Sequence, residues 1–484
     1  MNAMQGAREA DTNYLDREQL TGGVIFGAAA IAFIGIAIPL IWRGAPLADD
    51  FNNCLAPAEL GLGGFISASW QQLGAIRPAR ILEILLTAGV CRSLPFGVAI
   101  AVPLALTITV ALVGRALLRE LGLPSMWANV GGALWLLQPL GTEAGLWPAA
   151  LHVPLGLALA LQALRLYHRG RLAWAAVANL SAALCTEQVI CALPLAAALV
   201  AAGGERRRAA VVSSVVGALV VASFMLWPGA NPRLSAGVIE RIGGLTVNPA
   251  FYVGYPAVGL GLHSIPLAVR WAWPWDMVLL AAAAAIGWRI GPRVVHSARP
   301  ITAYRRRSVL FAAAALVVLA NLVVVFAVPQ QGSPRVFAPT WLILALTAAL
   351  AGASIRWRRP HLLGTSATLF AAGAVLSLMF SVSVRLESAE FTSRAAPLIA
   401  ARVAEGGRIA ICNVRRTVVE PAPRGAFAVH EFVYQWAAER ALQYYTGRHA
   451  TIYLAGDLWP HPCPPVADVD AVIGFDDMLA AVQR

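Results

Sequence analysis

Apolar residues run almost unbroken through stretches such as 21–42 (TGGVIFGAAAIAFIGIAIPLIW), and short polar or arginine-bearing segments punctuate them. A helix needs roughly 20 apolar residues to cross about 30 Å of hydrocarbon, so the repeated runs predict a polytopic all-α membrane protein with about eleven transmembrane helices. These lie within residues 1–382. The first run follows a polar, charged leader, Met1 to Gln19, and has no small-residue cleavage site before Pro39. It reads as a retained helix rather than a signal peptide. Runs near 128–141 and 172–185 look short or broken.

The pattern changes after residue 382, where charge, Pro and Tyr rise and no further run can span. Residues 383–484 read as a small soluble α/β domain, about a hundred residues long and near the lower limit for folding alone. RIAICNV (408–414) and AVIGF (471–475) have the composition of buried strands. HEFVYQWAAERALQYYTG (430–447) places apolar residues at helical spacing and ends on a glycine stop.

Charge orients the chain. Arginines cluster at 115 and 119, at 165, 169 and 171, at 206–208, between 289 and 307, and at 356–359. The enrichment of basic residues in cytoplasmic loops assigns these positions, and the N-terminus, to the cytoplasm. The intervening outer segments are 43–95, 141–148, a turn near 186–188, 228–274 and 329–335. The C-terminal domain then falls on the periplasmic or extracellular side, with the whole chain in a bacterial inner membrane. The formal net charge of +12 follows from the arginine clusters, since the sequence has no lysine, and these form no basic face for nucleic acid.

Four of the six cysteines fall in outer-side segments: Cys54, Cys91, Cys412 and Cys463. An oxidising compartment permits bridges there, and Cys412 with Cys463 is either a pair or two free thiols. Cys185 and Cys191 lie in predicted spans as small apolar residues. No CxxC or His-rich spacing marks a structural zinc site.

Candidate chemistry begins at PLADDFNNC (46–54), where Asp49 and Asp50 stand side by side just beyond the first span. Adjacent carboxylates repel and are costly in lipid, so the pair faces water, a cation or a proton-bearing substrate. The plainer alternative is an acid that caps a short interfacial helix beside a solvated neighbour. The same outer segment supplies Arg77 and Arg80, one turn apart if helical. Further candidates are Glu143 with Trp147 and His152, Glu187 in CTEQVI, and Tyr252 and His263 in the Gly- and Pro-rich segment 228–274. Each also has a structural reading: a loop acid, a membrane-belt Trp, a cavity-facing Glu or a satisfied interfacial His.

A first span ending in an outer acid pair, a juxtamembrane segment with Arg, and many further spans together resemble the GT-C superfamily of integral membrane glycosyltransferases. A late outer loop with Arg335 (GSPRVFAPTW, 332–341) and a soluble outer C-terminal domain complete the likeness. The resemblance covers the chain as architecture, while the matching motifs are short. It implies a polyprenyl-phosphate-linked sugar donor, and a glycan, lipid or protein acceptor. Asp49 then acts as general base on an acceptor hydroxyl, with Asp50 supporting it or competing for the role, and the anomeric carbon is inverted. Arg335, then Arg77 and Arg80, hold the donor phosphate, to which a guanidinium is suited by its fork of donors and permanent charge. Glu143, Trp147, His152, Glu187, Tyr252 and His263 are the weaker substrate-binding candidates. No cofactor or metal is assigned, although Asp49, Asp50 and Glu143 offer the oxygen ligands that a hard divalent cation takes. Two readings compete: a transporter or lipid flippase with a midplane site, and a catalytically silent GT-C-like scaffold that binds lipid.

Overall fold

The structure is a computed structural model, and it describes residues 2–46, 49–73, 79–137, 145–185, 204–225, 278, 281–289, 338–354, 359–414, 435–456 and 462–483. These residues are mostly helical and include one small parallel sheet. The chain divides into two compact units. One comprises Met1–Ile36, Gln71–Arg80 and Pro103–Leu378; the other comprises Ala37–Trp70, Ile81–Val102 and Met379–Arg484. The second unit therefore unites most of segment 43–95 with the C-terminal domain.

Helix α1 (Asn2–Arg43) carries the polar leader directly into the first apolar run. Then come α2 (Asp49–Leu73), α3 (Ala79–Ser93), α4 (Gly97–Glu120) and α5 (Ser125–Leu136). After a short 3-10 turn, Pro148–Ala150, the chain continues as α6 (His152–His168), α7 (Leu172–Cys185) and α8 (Gly204–Met225), and resumes as α9 (Ala338–Ser354) and α10 (Pro360–Ala400). Three described segments are long and apolar enough to cross a membrane: Gln19–Arg43, Gly97–Glu120 and Pro148–His168. They make the chain a membrane-associated protein. That is fewer spans than the run lengths predict, and many of the remaining runs, including those within 226–277 and 290–337, lie outside the described residues. Where a broken span is expected, α5 and α7 have 12 and 14 residues.

In the first unit, helices pack through small residues and a few buried polar groups, as membrane helices do in the absence of a water-driven hydrophobic force. Helices α6, α7 and α8 meet around Tyr167, whose hydroxyl bonds that of Ser213. Asn179 donates from Nδ2 to Ser213 Oγ at 2.8 Å and to Ser214 Oγ at 3.0 Å. On the opposite side of α8, Val211, Val212, Val215, Val216 and Leu219 are exposed, an inside-out pattern suited to lipid. Tryptophans fasten the neighbours: Trp135 Nε1 donates to the Thr107 carbonyl and Trp341 Nε1 to that of Leu134, both at 2.9 Å.

The second unit is built differently. Strands β1 (Arg408–Val414), β2 (Thr451–Gly456) and β3 (Ala471–Gly474) form a parallel sheet in the order β2-β1-β3, with Ile409 opposite Ile452 and Ala471. Helix α11 (Gln435–Thr446) lies between β1 and β2 in the chain, and α12 (Phe475–Gln483) follows β3. A central parallel strand is covered on both faces and so reads as a continuous apolar run, which explains the buried Ile409, Ala410, Ile411 and Cys412. One core joins Phe391, Ile399 and Val403, at and just beyond the end of α10, to Ile409, Ile411, Leu442, Ile452 and Phe475. Cys412 and Cys463 are bridged, their Cα atoms 5.6 Å apart.

Candidate functional site at the head of helix α2

Asp49 and Asp50 are the first two residues of α2, in the turn where the helix dipole favours negative charge. That much fits a capping acid. Asp50, however, is fully buried, as are Phe51 and Asn53 beside it. A capping carboxylate needs no such burial, and a buried one is expensive unless its surroundings compensate. Asn53 lies one turn from Asp50 on the same stretch of helix, and its side-chain oxygen and nitrogen find no hydrogen-bond partner among the described residues. Unpaired buried amide groups are rare and mark a place where a ligand or an ordered water belongs.

Helix α3 is tied to α2 at the same end. Cys54, one turn after Asp50, is bridged to Cys91 with Cα atoms 5.6 Å apart. Farther along, Ala56 and Phe65 of α2 pack with Ile84 of α3. The ends of the α2–α3 segment lie close together: Gly97 opens α4 against the Ile41 carbonyl, where any Cβ would collide. On α3, Glu83 and Thr87, one turn apart, are fully buried. On α10, Arg385, Ser388 and Thr392 are buried at spacings of three and four residues, which place them along one side of the helix. The unit thus buries the carboxylates of Asp50 and Glu83 and the guanidinium of Arg385. Buried charges persist in folded proteins when they are paired or otherwise compensated.

The C-terminal domain meets α2 through α11. The Phe51 ring lies edge-on to Tyr444 and Tyr445, with centroids 5.4 and 6.0 Å apart. The two tyrosines contact each other perpendicularly at 5.1 Å. Two turns along α2, Glu59 accepts hydrogen bonds from Arg440 Nη1 at 2.7 and 2.9 Å and from Gln443 Nε2 at 2.5 Å. Burial alone would raise the Glu59 carboxyl above its ordinary value of 4.5. Hydrogen bonds from Gln443 and Arg440, together with the charges of Arg440 and His449, outweigh that and hold it below. Burial pushes the Tyr444 phenol up.

Of the other expected site residues, Arg80 is half-buried in the first turn of α3. Trp147 and His152 are buried around the 3-10 turn that leads into α6. Arg80, Trp147 and His152 belong to the first compact unit, and Asp50 to the second. Arg77, Glu143, Glu187, Tyr252, His263 and Arg335 lie outside the described residues, as does the side chain of Asp49. Among the described residues no group of three or more His, Cys, Asp or Glu side chains converges as a metal site would require. Sequence reasoning missed Asn53, Glu83, Arg385 and the α2–α11 contact. For Glu83 a signal was present: a lone acid inside the apolar stretch ILEILL. Comparison of the chain with protein-family models and with curated proteins finds no match.

Proposed function

We propose that the chain is an integral membrane glycosyltransferase of the GT-C type, taking a sugar from a polyprenyl phosphate to an acceptor hydroxyl at the outer face of a bacterial inner membrane. The observation that carries this reading is the burial of Asp50, with Asn53 beside it, seven residues past the end of an apolar helix able to span. An acid placed there meets a lipid-anchored sugar at headgroup depth, shielded from bulk water. In the transfer step the acceptor oxygen attacks the anomeric carbon and its proton passes to Asp50 or Asp49. The bond between that carbon and the phosphate oxygen breaks, and the polyprenyl phosphate departs from the opposite face. Positive charge stabilises the leaving phosphate, a role for Arg335, Arg77 or Arg80.

The test is transfer from purified polyprenyl-phosphate sugars by protein in lipid nanodiscs, combined with native mass spectrometry of the bound lipid. Asp50→Asn is expected to lower turnover on the order of a hundredfold or more while lipid binding persists. Full turnover in that variant moves the base to Asp49. Full turnover in Asp49→Asn and Asp50→Asn together discards the mechanism.

A further inference from the structure

Asp50 occupies the first turn of its helix, and first turns fray unless tertiary contacts hold them. Among the described residues, a disulfide and an aromatic cluster bear on this one. The Cys54–Cys91 bridge fastens the second turn to α3, and the ring of Phe51, the residue next to Asp50, packs edge-on against both Tyr444 and Tyr445. Phe51 is fully buried, whereas Tyr444 and Tyr445 are half-buried, so the tyrosines cover the phenylalanine. Glu59 with Arg440 and Gln443 fixes the register of α11 along α2 two turns farther on. Behind the tyrosines α11 is rigid: Ala438 and Leu442 sit in the domain core, and Glu439 Oε1 accepts the Ile452 N–H of β2 at 3.0 Å.

We propose that Tyr444 and Tyr445 of the C-terminal domain are positioning residues for Asp50, acting through Phe51. The domain is then neither a tethered module nor a passive cover: it completes the acid's site from a helix nearly 400 residues later in the chain. A buried carboxylate depends on a fixed geometry around it, its polar partners included, and packing on its own turn supplies part of that geometry. Of the two fastenings on this turn, the aromatic one borders Asp50 directly in sequence, and the disulfide lies one turn beyond. Loss of the tyrosine rings frees the turn, and the carboxylate moves to water. The catalytic part of this inference rests on the transferase reading, whereas the positioning part can be measured without turnover.

The experiment is carboxyl labelling of the full-length protein in nanodiscs with a water-soluble carbodiimide and glycine methyl ester, read by peptide mass spectrometry. Asp50 is expected to be protected in the wild type and labelled roughly tenfold more in the Tyr444→Ala/Tyr445→Ala pair. Protection should return in Tyr444→Phe/Tyr445→Phe, which keeps the rings. Hydrogen exchange in β1, β2 and α3 should match the wild type, showing that the domain remains folded. Phe51→Leu repeats the test from the α2 side with the C-terminal sequence intact. In the transfer assay the alanine pair should lose kcat on the order of a hundredfold with little change in KM, the signature of a displaced group rather than a lost binding contact. Equal labelling of Asp50 in the wild type, the alanine pair and Phe51→Leu overturns the inference; new labelling with unchanged kcat leaves the positioning in place and removes Asp50 as the base. If the wild type transfers no sugar but the labelling follows the rings, the positioning stands and the transferase reading alone fails.

Discussion

Among the described residues, the two units bury polar groups in different ways. Around Tyr167 the first unit closes a short neutral network among α6, α7 and α8, with hydroxyls and one amide bonded mostly to one another. The second unit buries ionisable side chains, Asp50, Glu83 and Arg385, and bolts its surroundings with two disulfides. In lipid a neutral, nearly self-satisfied network holds helices together at small cost, whereas buried charge calls for a rigid frame.

The comparison can be broken most forcefully at the frame. Cys54→Ser removes a bridge that closes a loop of 37 residues, which by chain entropy is worth about 4 kcal/mol. The expected outcome is a large fall in the unfolding midpoint of the second unit under denaturant, with hydrogen exchange in α6 to α8 unchanged. A matching fall across both units would mean that they do not differ in what holds them. A smaller effect is expected in the first unit. Asn179→Ala deletes the amide that bonds both serines, and should cost about 1 kcal/mol, as single interhelical hydrogen bonds in membranes typically do. Urea or SDS titration of the folded fraction reads it, and a loss of several kcal/mol would place the polar glue on a par with the disulfide.

The smallest effect sharpens the contrast by pH. Because the folded Glu59 carboxyl lies below its ordinary value of 4.5, its contact with Arg440 and Gln443 stabilises fully above that value. The contribution disappears as pH falls through the lowered folded value. Glu59→Gln should therefore melt below the wild type at pH 7, by an amount equivalent to about 0.5 kcal/mol, and the gap should close only in acid below 4.5. A gap that stays constant between pH 7 and pH 3 would show that charge has no part in fixing α11 to α2.

The sequence made some of this legible and hid the rest for identifiable reasons. Strand β1 falls on RIAICNV as expected, because a covered parallel strand is apolar throughout. Helix α11 occupies 435–446 of the expected 430–447 segment, whose first five residues lie outside the described residues. Strand β2, TIYLAG, escaped notice: it is short, and only half of it is fully buried. In segment 43–95, α2 runs through Gly61, Gly63 and Gly64 with a kink at Gly61, where φ is +69°. Asp50 stands out in the sequence because two adjacent acids beyond a span are conspicuous. The residues that frame it do not, since their partners are remote: Glu59 and Arg440 are 381 positions apart. No local pattern encodes such a pairing.

That separation has a consequence in time. At a synthesis rate of 5–20 residues per second, about 20–80 s pass between the emergence of Glu59 and that of Arg440. Cys91, by contrast, follows Cys54 by 37 residues, within a few seconds. The newborn α2–α3 hairpin can thus be stapled early, and must then wait for most of the polypeptide before α11 arrives to shelter Asp50. During that wait Asp50 and Phe51 stand without their C-terminal cover.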